Sequence, residues 1–253
     1  MRFVLVALVA IQLLGCASWR SEQDEPVAVA AIAQTPWAMA SLPQVDGKPW
    51  QRLPLPGKRE TQFDAVRADG RAALAVTADA SASMVRRQVH VPADALGQLS
   101  FSWKVPALIA GADMAARDAD DAPVRLVLAF EGDRSRFSAK NAMLSELARA
   151  LTGEEMPYAT LMYVWCNSRA PGSVIMNPRT DRIRKIVVES GPAGLGQWRD
   201  YERDVRADFV RAFGEEPGAL VAVGVMTDSD NTGSHVRAWY GPLNLHRSVA
   251  AAP

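Results

Sequence analysis

The sequence predicts a mainly β protein, a single-domain two-layer antiparallel sandwich with two short helices. Three observations point there. Apolar segments of strand length recur at short spacing along most of the chain. Asp69-Gly70, between segments 61–68 and 71–78, is a strong two-residue hairpin signal. Helical periodicity shows in only two places, too few for the strand-helix alternation of a parallel sheet.

The element that organises the rest is Ala219 to Met226, uncharged and without alternation, as a strand covered on both faces would be. An acidic loop, Thr227 to Gly233, follows it. A returning strand with Val236, Ala238 and Tyr240 on one face completes an expected hairpin. Upstream, Leu99, Phe101, Trp103 and Val105 alternate on one core-facing side. Segments 83–91, 124–130, 160–166 and 183–189 read as further strands. Ser138 is placed to cap a helix in which Met143, Leu144, Leu147, Ala148 and Leu151 fall at helical spacing, with Gly153 as its stop. Asp204 does the same for a helix with Val205, Phe209, Val210 and Phe213 as its apolar stripe, ended by Gly214.

The first residues give an address. Arg2, the apolar run Phe3 to Leu14 and Leu13-Leu14-Gly15-Cys16 form an export signal over 1–15, too short for the ~20 residues of a membrane span. Leu13-Leu14-Gly15-Cys16 resembles a bacterial lipobox. That resemblance implies lipidation of Cys16 and a lipoprotein facing the periplasm, with Ala17 after the Cys favouring the outer membrane. Residues 16–49 read as anchor and tether, 50–246 as the sandwich and 247–253 as a tail. Balanced charge, 28 Lys+Arg against 28 Asp+Glu, gives no drive toward nucleic acid. Cys166 is the single cysteine beyond Cys16, so no disulfide staples the body. A buried, inert thiol is expected there.

Chemistry, if any, is expected among acids. Asp228, Asp230 and Asn231 on the glycine-permitted loop suit a hard cation such as calcium, although the loop lacks the Glu of an EF-hand. The alternative is an ordinary turn in which these side chains bond their own backbone. Asp120 and Asp121 before the Val124 strand, and Glu189 at the end of another, complete the ligand-binding set. Gathered at one rim, they could bind a ligand or supply paired carboxylates for glycoside hydrolysis. Trp103, Tyr163, Trp165, Trp198, Trp239 and Tyr240 are expected mainly in the core, with sugar stacking as the other use of such rings.

Five stretches taken together resemble a bacterial family known only as domain of unknown function 3047, over roughly Trp50 to Leu245. They are Leu99-Ser-Phe-Ser-Trp-Lys-Val, Asp120-Asp121 before Val124 to Phe130, Tyr163-Val-Trp, Ile186-Val-Val-Glu-Ser-Gly191 and Met226-Thr-Asp-Ser-Asp-Asn-Thr-Gly233. The resemblance implies an envelope location and a jelly-roll sandwich akin to galactose-binding or carbohydrate-binding modules. It brings no catalytic residues. The expected function is therefore non-catalytic binding of a ligand, an envelope glycan being the first choice. A glycoside hydrolase-like enzyme and a protein-binding scaffold are the alternatives.

Overall fold

Asp69 and Gly70 both adopt positive φ, 51° and 79°, as a two-residue hairpin turn requires. Ala68 pairs directly with Arg71 across that turn. The computed structural model describes residues 29–246. The export signal, Cys16, the first part of the tether and the tail 247–253 lie outside the described residues. In chain order the elements are α1 (Pro36–Ala40), β1 (Gln51–Pro54), β2 (Gln62–Ala68), β3 (Arg71–Asp79), β4 (Ala82–Val91), β5 (Gln98–Lys104), β6 (Ala122–Phe130), α2 (Ala139–Thr152), β7 (Ala159–Cys166), β8 (Val174–Met176), β9 (Ile183–Ser190), β10 (Trp198–Asp204), α3 (Val205–Phe213), β11 (Leu220–Asp228), β12 (His235–Tyr240) and β13 (Asn244–His246).

The strands form two sheets. One has the order β1-β4-β11-β6-β7-β9-β8, the other β10-β5-β12-β3-β2 with β13 on β5. All pairings are antiparallel except β7 with β9, where the chain returns through 167–182 to begin beside Thr160. Between the sheets lies the core, with Val124, Leu126, Leu128 and Phe130 of β6 facing Leu99, Phe101 and Trp103 of β5. Trp103, Tyr163, Trp165 and Tyr240 are buried there, whereas Trp198 and Trp239 are only half-buried.

The body begins before residue 50. Trp37 is fully buried, its ring centroid 4.9 Å from that of Trp50, and its indole N–H donates to the Gly241 carbonyl at 2.9 Å. The segment before residue 50 is therefore packed on the sandwich from Ile32 onward.

Two local expectations are revised. β11 and β12 do not pair with each other. β11 lies between β4 and β6 in the larger sheet, and β12 pairs β3 and β5 in the smaller one. The acidic loop thus carries the chain from one layer to the other. The sequence pattern agrees, since β11 is uncharged on both faces from Leu220 to Thr227 and β12 alternates. Helix α2 is capped as expected by Ser138 and by Gly153 at φ 77°, but its apolar stripe faces outward. Met143, Leu147 and Leu151 are 64, 52 and 62 % exposed. The helix is held by polar groups instead. Asn141 donates to Asp181 and accepts from Thr180, and Ser145 accepts from Arg134. α3 follows the usual rule, with Phe209 buried against Phe130 at a centroid distance of 4.7 Å.

Candidate functional site

The outer face of the seven-stranded sheet divides into a covered half and an open half. The covered half holds most of the acids singled out in the sequence. Strand alternation turns Arg125 of β6, Asp228 of β11 and Lys185 of β9 away from the core. The loop before β6 folds over them. Arg125 Nε donates to Asp228 Oδ1 at 2.8 Å, and its Nη2 reaches both the carbonyl and the carboxylate of Asp120 at 2.7 and 3.0 Å. Lys185 Nζ donates to Asp120 Oδ1 at 2.6 Å and to the Met114 carbonyl at 2.8 Å. All four charged residues are at most 5 % exposed.

Burial raises the Asp228 carboxyl to about 6, against the pull of Arg125. Burial, then the neighbouring Arg125, lowers the Lys185 amine to about 8. Burial would also lower the Arg125 guanidinium, but Asp228 and Asp120 outweigh it and hold it firmly charged.

Asp121 has a separate role. Its Oδ1 accepts from the backbone and side-chain amides of Asn231, and its Oδ2 from the backbone N–H and hydroxyl of Thr232. Burial pushes this carboxyl up, and the four hydrogen bonds bring it below the usual range. It thereby ties the crossover loop to the start of β6. Asp230 is paired with Lys58. The structure thus gathers Asp120, Asp121, Asp228, Asp230 and Asn231 in one place. Glu189 is not among them. It points inward to β10, where it accepts from Arg199 at 3.0 Å and Tyr201 at 2.9 Å.

One carboxylate oxygen each from Asp121, Asp228 and Asp230 lies within 4.8 Å of the others, a group that could hold a cation. Hard oxygens of this kind suit calcium or magnesium. Arg125, Lys58 and the amides of the crossover loop already bond these carboxylates. Cys166 is buried with Met114, Val164 and Val187 on the same covered half. His235 is exposed on β12, its Nδ1 4.0 Å from Asp79.

The open half is a groove of about 810 Å³ that none of those acids lines. Its floor is built from outward positions of β4, β11, β6 and β7, among them Met84, Ala222, Gly224, Val127, Ala129 and Met162. The floor is sunk, since Val127, Ala129, Met162 and Ala222 are 6 to 9 % exposed. At Gly224 backbone forms the surface, where a Cβ would lie 3.4 Å from Met84 Sδ. From Leu53 on β1 to Ile183 on β9 the lining crosses six neighbouring strands, a length of about 24 Å at the usual strand spacing of ~4.8 Å.

The rim is charged. Arg86 grips both oxygens of Glu154 at 2.6 and 2.8 Å and holds that carboxyl below its ordinary range. Arg134 pairs with Glu155 at 3.1 Å. A second hollow of about 560 Å³ shares Glu131, Arg134, Pro157 and Val221 with the groove and continues it.

Sequence reasoning missed both the groove and the two buried cations. Arg125 had a signal, the one charge inside an otherwise apolar strand; Lys185, beside Arg184 on a strand that also carries Glu189, had none. The groove had a weaker one: β6 and β11 carry no polar outward position opposite it, yet no helix was available to cover that face.

Among solved structures, the chain is similar to the xyloglucanase domain of NopAA, a type three effector from Sinorhizobium fredii, solved with cellobiose. Identity is 10 %, the TM-score 0.37, and the match covers 80 % of this chain and 100 % of that one. It is also similar to the endo-1,4-β-glucanase CelB2, at 11 % identity and a TM-score of 0.35, covering 81 % of this chain and 89 % of that one. No curated protein matches it. Residues 48–244 match the model of the family described as "Protein of unknown function (DUF3047)", and the chain belongs to that family.

Proposed function

We propose that this protein is a non-catalytic binding protein of the cell envelope, anchored through a lipid on Cys16, and that its ligand lies in the groove of the seven-stranded sheet. One observation carries the reading. A solvated sheet face alternates toward polar side chains; here the outward positions of the two central strands, Ala222 and Gly224 of β11 and Val127 and Ala129 of β6, are small or apolar and with Met84 and Met162 floor a hollow of about 810 Å³. That size falls within the ~300–1,000 Å³ of ligand pockets.

Paired-carboxylate hydrolysis is the second reading, and the ionic state of the rim weighs against it. A glycosidase needs one carboxyl kept protonated near neutral pH. Glu154 is held ionised by Arg86, and Asp228, whose carboxyl is raised, does not line the groove. A glycan has a different place to bind, the outer side of the six-stranded sheet. Trp198, Lys104 and Trp239 are direct cross-strand neighbours there. Cations already lie over both rings, Arg71 at 5.2 Å from Trp198 and Arg237 at 5.2 Å from Trp239. Calcium at Asp228 and Asp230 would compete with Arg125 and Lys58 for the same carboxylates.

Native mass spectrometry of the full chain isolated from its own cells tests the groove. A non-covalent adduct on the wild type that disappears in Ala129→Phe supports it. An adduct retained in that variant moves the ligand elsewhere.

A further inference from the structure

We infer that the groove takes the acyl chain of a single-chain amphiphile, a class that rests on the groove being the binding site. The floor decides the chemistry. Sugars are recognised by stacking on aromatic faces and by planar polar side chains. Among the described residues no Trp, Tyr or Phe lines the groove itself, Phe130 and Tyr158 lining only the adjoining hollow, and the floor offers Val127, Ala129 and Ala222 with the flexible thioethers of Met84 and Met162. Thioether side chains adapt to irregular apolar ligands. Every methylene removed from water adds to affinity, so a chain laid along a trough crossing six strands gathers affinity without needing hydrogen bonds.

Shape and rim fit the same ligand. A long trough sunk below its walls suits an extended chain, which leaves its polar end among Lys48, Asp46, His90 and the ion pairs of the rim. Helix α2 adds an independent observation. Among the described residues, its outward Met143, Leu147 and Leu151 are the most prominent apolar exposure in consecutive turns of one element. The helix runs directly into Glu154 and Glu155 of the groove wall. An apolar helix face beside an apolar trough gives an amphiphile a route from a lipid surface to the floor.

The experiment feeds cells a 16-carbon fatty acid carrying a diazirine and an alkyne, followed by irradiation and peptide mapping of the full chain. Label on peptides of β4, β6, β7 or β11 is expected, lost in Ala222→Phe and in Ala129→Phe. Both residues line the groove floor, and unchanged thermal melting shows that the variants fold. Label on the peptide holding Cys16 reports the anchor separately and should survive in both variants. Adduct mass distinguishes a free acid from an esterified lipid. Label absent from the groove peptides, or kept in both filled variants, overturns the acyl class. A native adduct of other composition that Ala129→Phe removes would then leave the groove reading standing. Absence of both signals removes both.

Discussion

Arg125 and Asp228 meet across β6 and β11 on the outer face of the larger sheet, Nε to Oδ1 at 2.8 Å, both nearly sealed from water. Asp228 also accepts from the backbone N–H of Ala122 at 3.0 Å. That one carboxylate therefore joins the last residue of β11 to the first of β6. Ionic groups here fix where the crossover loop leaves the sheet.

Removing one partner should be costly. Arg125→Met leaves Asp120 and Asp228 buried with Lys185 as their remaining cation, and is expected to lower unfolding free energy by about 3–5 kcal/mol. Adding Asp228→Asn should cost much less than its effect alone, because the two act as one unit. Urea denaturation of the two singles and the double measures the coupling. Simple additivity would show the pair to be energetically independent.

The lowered Lys185 amine sets a pH dependence. Between about 8 and 10.5 the unfolded chain binds this proton and the folded chain does not, so this group's contribution to stability rises with pH across that window. The stability of the wild type relative to Lys185→Met should increase from pH 8 to pH 10. A difference that stays flat would mean the amine keeps its proton in the folded state.

The acidic crossover should not depend on calcium. Asp121→Asn weakens four hydrogen bonds to Asn231 and Thr232, and is expected to lower Tm by the same amount in calcium and in chelator. A wild-type Tm that rises with calcium, with the gain lost in Asp121→Asn, would establish a cation at Asp121, Asp228 and Asp230.

The two longer helices should respond oppositely to substitution. Leu147→Ser on the outward face of α2 is expected to change unfolding free energy by no more than about 0.5 kcal/mol. Phe209→Ala on α3 empties a site packed against Phe130 and should cost about 3–5 kcal/mol. Equal losses at both positions would place Leu147 in a packed interface.

What could be read from the chain follows how local each signal is. Asp69-Gly70 needs only its own backbone, and Leu99 to Val105 carries its face in its alternation, so both were legible. β10 was not, because Arg199, Asp200, Glu202 and Arg203 mask a strand whose Tyr201 stacks on Phe101 at 5.2 Å. The acids before β6 and after β11 could be nominated as a group. That Arg125 and Lys185 would neutralise Asp120 and Asp228 depends on strand order, which puts β11, β6, β7 and β9 side by side. Glu189 looked equivalent in sequence, but a register shift between Val164 and Trp165 sets it opposite Trp165, facing inward. The groove was hardest to foresee, since Gly224, Ala222 and Ala129 define it by the side-chain volume they lack.

The most direct test of the groove places a photoactivatable amino acid at His90, on the rim where it leaves the floor open, in the full chain expressed in its own cells, with Glu202 on the other sheet as the comparison position. Irradiation should trap a discrete small molecule at 90 and nothing reproducible at 202. Equal trapping at the two positions, or none at 90, would contradict a ligand site on the seven-stranded sheet.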